Sequence, residues 1–353
     1  MFKQIRKWAL VSMLSLVAMP SMAQEVTWQV PTSVPEGSPF YVNFLERFAS
    51  NVDALTSSRV KIEPFGAGVL VPALQVYDGV RDGIIQAGHS SPSYLVNQDP
   101  INAIFAGFPG GMGPEAYVTW IYDKGGKEKL YDLRAKSGFK SLIVGIGSSE
   151  IMAHSNVPIT KAEDLKGMKY RTSGPWAKVM EEYFGAVPTV VPPGEIYTLL
   201  ERKGVDMIEW GPPSANMPEG FHEAAKYIIV PGVHQPTFLW EVVLKQETWD
   251  ALPDDLKTLI DKAADLTTMQ ALVHFYGEDV VAMEKYRSGK NEIITLSPEF
   301  VKQLSDAGAD WITKTAEAQK TEGKPEMAGI LEDYMAFKTI WSAESSYLVR
   351  NQD

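Results

Sequence analysis

The chain has 353 residues, no cysteine, 45% hydrophobic residues and a formal net charge of −11. These values exclude disulfides, thiolate metal sites and thiol nucleophiles, and they argue against nucleic acid, which rewards a basic surface. An anionic ligand would have to be held by a local cation against the field of the whole protein, so any arginine near a candidate site matters.

At the start, Lys3, Arg6 and Lys7 precede an apolar run from Trp8 to Met19 and the small-residue ending Ser21-Met22-Ala23. This pattern predicts a secretory signal peptide cut near Ala23, and the run is too short to span a bilayer. The exported chain of about 330 residues is long enough to divide into two lobes.

After it, VTWQV alternates as a strand, and residues 39–55 carry Phe40, Phe44, Leu45 and Phe48 on one helical face. VKIEPF (60–65) is a strand, 72–81 a helix closed by Asp82-Gly83, and 84–88 a short strand. That strand opens into the polar loop HSSPSY, with Ser90, Ser91 and Tyr94. The alternation predicts an α/β lobe with a mainly parallel sheet, whose ligands sit at the carboxyl ends of strands. GFPGGMGPEA (107–116) lacks both the Lys-Ser/Thr of a phosphate loop and the dinucleotide spacing, so it reads as a conformational loop. SLIVGI (141–146) is a strand ending at Gly147-Ser148-Ser149-Glu150, the first crossing between lobes.

In the second half, Thr160 and Glu163 form a capping box over one helical turn. KYR then carries Arg171 out of a strand, and Ser173 is placed to cap the next helix. PTVV is a strand, Gly194 opens a helix, and VDMI delivers Glu209 and Trp210 at its carboxyl end. From 253 to 287, Leu256, Leu259, Ile260, Ala263, Leu266, Met269, Val273 and Tyr276 keep a 3.6-residue rhythm that predicts one long helix or two end to end. A strand, EIITL, and two or three more helices follow.

No G-x-S-x-G elbow occurs, and the five histidines show no ligand spacing such as H-E-x-x-H. Glu209 and Glu241 could serve a carboxylate-pair hydrolase, a minor reading beside a non-enzymatic binding role. Arg171 is the stronger clue, because a guanidinium at a strand end matches a carboxylate in bidentate geometry. On the arginine alone, a surface salt bridge to Glu181 or Glu182 is the better explanation; its neighbourhood moves the balance.

The run DLKGMKYR (164–171), then PPGEIYTLLERKGVDMIEWGPP (192–213), AAKYIIVPGVHQP (224–236) and E-x-V-x-K from Glu241, resembles the extracytoplasmic solute receptors of tripartite ATP-independent periplasmic (TRAP) transporters. The likeness is to the branch that binds 2-oxo acids and related monocarboxylates, and it includes VKIEPFGAGVLVPALQVYDGVRDG in the first lobe. It implies an α/β, two-lobed periplasmic-binding-protein fold, type II-like, with a hinge and long C-terminal helices. On this reading residues 1–23 are the signal peptide, 24–148 the first lobe and 149–238 the second. Residues 239–353 form a hinge-crossing strand and long helices that return over both lobes.

The resemblance further implies a periplasmic receptor that closes on a small 2-oxo or 2-hydroxy acid and delivers it to the small and large membrane subunits. Arg171 matches the carboxylate-clamping arginine, and the ligand is held together with a metal ion for which Glu209, the backbone of Trp210 and Glu241 are the matching groups. Glu150 falls where that branch usually has glutamine. Tyr94 and Ser91 complete the expected ligand contacts. The expected ion is Ca²⁺ or Na⁺, with no organic cofactor, because Arg171 alone cannot balance Glu150, Glu209, Glu241 and an acid. An amino acid or other zwitterion, whose amine replaces the metal, is the alternative ligand class. The long helices after Pro253 carry more apolar positions than one lobe needs, which suggests a homodimer through them.

Overall fold

A computed structural model of the chain describes residues 26–348. The signal peptide read at 1–23 lies outside the described residues. Four strands come first: β1 (Val26–Pro31), β2 (Val60–Phe65), β3 (Ala87–Ser90) and β4 (Phe139–Gly147). Five short ones follow: β5 (Ala153–Ser155), β6 (Lys169–Arg171), β7 (Val187–Thr189), β8 (Met207–Ile208) and β9 (Tyr227–Val230). Then come β10 (Phe238–Lys245) and β11 (Glu292–Thr295).

The strands sort into two lobes. In the first, β1 and β2 pair in parallel, a single bridge from Thr32 to His89 leads on to β3, and β10 runs antiparallel between β3 and β4. The second lobe holds one six-stranded sheet in the order β11-β9-β5-β8-β6-β7. The chain therefore leaves the first sheet after β4, returns after β9 to place β10, and leaves again to place β11. Several crossings at one waist are what a hinge between lobes requires.

Helices cover the central strands, and β4 and β10 read as nearly continuous apolar runs. All of β4 but Lys140 is buried. The helix expected at 253–287 is a single element of 35 residues, Asp254–Ser288. Its buried face runs through Leu256, Ile260, Ala263, Ala264, Thr267, Thr268, Ala271, Leu272 and Phe275. Four positions assigned to its apolar rhythm, Leu266, Met269, Val273 and Tyr276, point outward instead. The rhythm belongs to two apolar faces, and the one with small residues packs on the sheet because Ala and Thr let the helix lie close.

Other local readings change in detail. The first helix opens as a π-helical turn, Tyr41–Glu46, before its α-helical part Arg47–Leu55. At the one-turn helix after Thr160 the cap is Asp164, not Glu163: its Oδ2 accepts from the N–H groups of Thr160 and Lys161. The glycine-rich loop docks on helix Pro298–Thr321. A Cβ at Gly110, whose φ is +76°, would lie 2.5 Å from the Ser305 carbonyl. Met112 N–H in the same loop donates to the Tyr334 hydroxyl at 2.5 Å. Its glycines serve close packing, with no phosphate cradle.

Candidate functional site

Strand ends from both sheets converge on one cavity. Ser91 follows β3, Glu150 follows β4, Arg171 ends β6, and Glu209 and Trp210 follow β8. This is where ligands of α/β sheets sit, because the last backbone groups and the first loop side chains are free to face the crevice. The lining residues are Phe40, Ser91, Ser93, Tyr94, Glu150, Arg171, Ser173, Glu209, Trp210, Gln235, Phe238 and Trp240, around a nearly closed cavity with about 20 Å³ of room for a water-sized molecule.

Arg171 is only 1% exposed. Its Nη1 donates to the Glu209 main-chain carbonyl at 2.8 Å and reaches Glu209 Oε1 at 3.4 Å, while Nη2 donates to the Val191 carbonyl at 3.2 Å. The pairing with Glu181 or Glu182 does not form; the guanidinium lies 5.7 Å over the Trp210 ring instead. Glu209 also accepts from Ser173 N–H at 3.1 Å. Ser173 makes no side-chain cap on its helix; its main chain serves the site. Arg171 Nε and Trp210 Nε1 are buried donors without a protein acceptor, which in a cavity wall points to a ligand partner.

Glu150 lies opposite. Its Oε2 is 3.0 Å from His234 Nε2, and that nitrogen is 4.0 Å from Glu209 Oε2. Donor atoms of Glu150, Glu209 and His234 all fall within 4.8 Å of one another. Burial, and then the charge of Glu209, push the Glu150 carboxyl well above its usual range. Burial raises Glu209 too, against the pull of Arg171. Of the pair, Glu209 is the better anion, since it holds the guanidinium and a backbone N–H. Burial drives the His234 imidazole down to about 3, and burial carries the Tyr94 phenol up to about 12.

The remaining wall is aromatic. Phe40 packs on Trp210 at 5.2 Å and on Phe238 and Trp240 at 5.4 Å each, ring centre to ring centre. Among the cavity-lining residues, Arg171 is the single lysine or arginine.

The structure thus brings Arg171, Glu150, Glu209, Trp210, Tyr94 and Ser91 to one cavity. It does not bring Glu241 there. Side chains alternate along β10, so Trp240 faces the cavity and Glu241 points to the opposite face of the sheet. A register shift between these two residues leaves that alternation in place. Glu241 is fully buried, takes Nη2 of Arg134 at 2.6 Å and the hydroxyls of Tyr77 at 2.8 Å and Ser141 at 2.5 Å. Its charge is already balanced, so the expectation that it holds a cation with Glu209 is corrected. Gln235, His234, Ser93 and Ser173 were not anticipated. The alternation rule applied to FLWE would have exchanged Glu241 for Trp240; nothing local marks His234.

The lobes are nearly in contact around the cavity. A Cβ on Gly174 of the second lobe would sit 3.3 Å from Ser93 of the first, and one on Gly194 3.5 Å from Pro35.

Residues 31–319 match the family of bacterial extracellular solute-binding proteins, family 7. The monocarboxylate 2-oxoacid-binding periplasmic protein of Nostoc sp. is 29% identical over 294 residues, covering 82% of this chain and 79% of its own. A TRAP periplasmic solute-binding protein from Pseudoalteromonas atlantica with bound sodium and pyruvate is 26% identical, covers 92% of this chain and 97% of its own, and superposes with a TM-score of 0.85. An apo, open structure from Rhodobacter sphaeroides, also 26% identical and covering 90% and 98%, gives 0.62. The lobes here are arranged more like the ligand-bound relative than the open one. The chain therefore belongs to the family 7 extracellular solute-binding proteins, the periplasmic receptors that bind small organic acids and work with the membrane subunits of TRAP transporters.

Proposed function

We propose that this receptor binds a small 2-oxo or 2-hydroxy monocarboxylate, its acid group on Arg171, together with Ca²⁺ or Na⁺ held by Glu209, Glu150 and the main-chain carbonyl of Trp210. The charge balance of the cavity carries this reading: one buried guanidinium faces two buried carboxylates. A bound acid adds a third negative charge, and like charges this close cannot all stay ionised without a cation. The donor set fits one, since donor atoms of Glu150 and Glu209 lie within 4.8 Å of each other, and clustered carboxylate oxygens suit Ca²⁺ with its tolerance of irregular shells. When bound, the ion supplies positive charge beside the acid and orients its 2-oxygen. The bound sodium and pyruvate of the Pseudoalteromonas relative support the same class. The single basic residue and the aromatic wall favour a monocarboxylate over a dicarboxylate.

Ligand closure then joins the lobe at 24–148 to that at 149–238, and we read the event as binding without turnover, in keeping with a receptor family. Titration with pyruvate, lactate, alanine and succinate tests the class. Pyruvate or lactate should bind with a cation requirement and succinate should not. Tight alanine binding to metal-free protein would favour the zwitterion reading.

We further assign a homodimer to the outer face of helix Asp254–Ser288. Leu266, Met269, Val273, Tyr276 and Val280 are 40%, 51%, 63%, 41% and 69% exposed. They recur at alternating three- and four-residue spacing, the seam of a helix that packs along another. A second copy presenting the same seam is the matching occupant.

A further inference from the structure

Glu150 is gripped from behind by the loop 231–236. Its N–H donates to the Gln235 carbonyl at 3.3 Å. Its own carbonyl passes so near Gly232 that a Cβ there would lie 1.8 Å away, so residue 232 admits no side chain. The same loop carries His234, whose Nε2 meets Glu150 Oε2 at 3.0 Å. The imidazole is 1% exposed and packs on Trp176 with 5.7 Å between ring centres. It is not among the residues that line the cavity, whereas Glu150 is.

The terminal torsion of a glutamate is soft, so an unbraced carboxylate samples a broad range of rotations. Here the imidazole engages one oxygen, which fixes the rotation and assigns the other oxygen to the cavity. A group already held in place loses less freedom when a ligand arrives. We infer that His234 is a positioning residue of the ligand site: by bracing the Glu150 carboxylate from outside the cavity, it sets the affinity for the cation that accompanies the acid. This rests on the function proposed above. Outer hydrogen-bond partners of this kind typically govern about 10–100-fold in cation affinity.

The test is calorimetric Ca²⁺ titration of metal-stripped protein in saturating pyruvate, with thermal melting to verify folding. His234→Phe should weaken Ca²⁺ binding by about 10–100-fold. His234→Gln, which can return an amide near the Nε2 position, should recover most of that loss. In a Glu150→Gln background, His234→Phe should change nothing further. If His234→Phe does not fold, His234→Asn, too short to reach Oε2, replaces it with the same expectation. An unchanged Ca²⁺ affinity in folded His234→Phe overturns the inference alone. So does an equal loss in the Glu150→Gln background, which would trace the effect to packing on Trp176. Wild-type protein that takes no Ca²⁺ with pyruvate overturns the functional reading and this inference with it.

Discussion

The Arg171 guanidinium meets Glu209 twice, at its main-chain carbonyl at 2.8 Å and its carboxylate at 3.4 Å. The guanidinium is therefore positioned by the residue whose charge it offsets, and Glu209 N–H in turn donates to the Arg171 carbonyl at 3.1 Å. Clamp and counter-charge form one unit, built where β6 and β8 end side by side.

Arg171→Ala should remove measurable acid binding and also lower the stability of the empty protein. Taking one partner from a buried pair costs about 3–5 kcal/mol, less whatever Glu209 recovers by taking up a proton. Adding Glu209→Gln should restore part of the melting temperature without restoring binding. An Arg171→Ala protein that melts with the wild type would show that Glu209 is compensated elsewhere.

Glu241→Gln should behave in the opposite way. None of its partners Arg134, Tyr77 and Ser141 lines the cavity, so acid affinity should stay within about twofold while stability falls by about 3–5 kcal/mol. Paired calorimetry and melting of one sample measure both. A loss of affinity in protein that remains folded would return Glu241 to the site.

Acid should destabilise the empty protein through three buried histidines. Burial drives His89, His154 and His234 each from 6.5 down to about 3. The unfolded chain protonates them near 6.5 and the folded one does not. The stability they contribute is thus present above pH 6.5 and lost as pH falls toward 3. Glu150 and Glu209, both held up by burial, work with the opposite sign above their ordinary value of 4.5. The histidine contribution is therefore read by difference: between pH 6.5 and 4.5, His154→Gln should take up about one proton fewer on unfolding than the wild type. Equal proton uptake in the two proteins would contradict this.

The outer seam of helix Asp254–Ser288 predicts association. Sedimentation velocity should give a dimer for the wild type and a monomer for Val273→Glu with Val280→Glu, whose exposed positions carry no fold cost. A wild-type monomer at micromolar concentration would discard the seam as an interface.

Most of the fold was legible because its signals are local: the 3.6-residue rhythm of the long helix, the strand before Arg171, the polar loop after β3. The strand-end positions of Arg171, Glu150 and Glu209 follow from the same alternation of strand and helix. Legibility failed where two faces compete. Leu266 and Met269 share their rhythm with the buried Ala263 and Thr267, and only packing decides which face turns inward. Glu241 failed for a related reason, since neighbouring residues of a strand face opposite ways. His234 was beyond reach, because its partner Glu150 lies 84 residues away in the chain and only the folded loop brings them together.

Calorimetric titration of pyruvate into chelator-treated protein, with and without added Ca²⁺ or Na⁺, tests the central claim most directly. The account predicts tight binding with a cation, and a loss of at least about tenfold without one, since a buried acid beside Glu150 and Glu209 then lacks its counter-charge. Equal, tight binding in metal-free protein would contradict it.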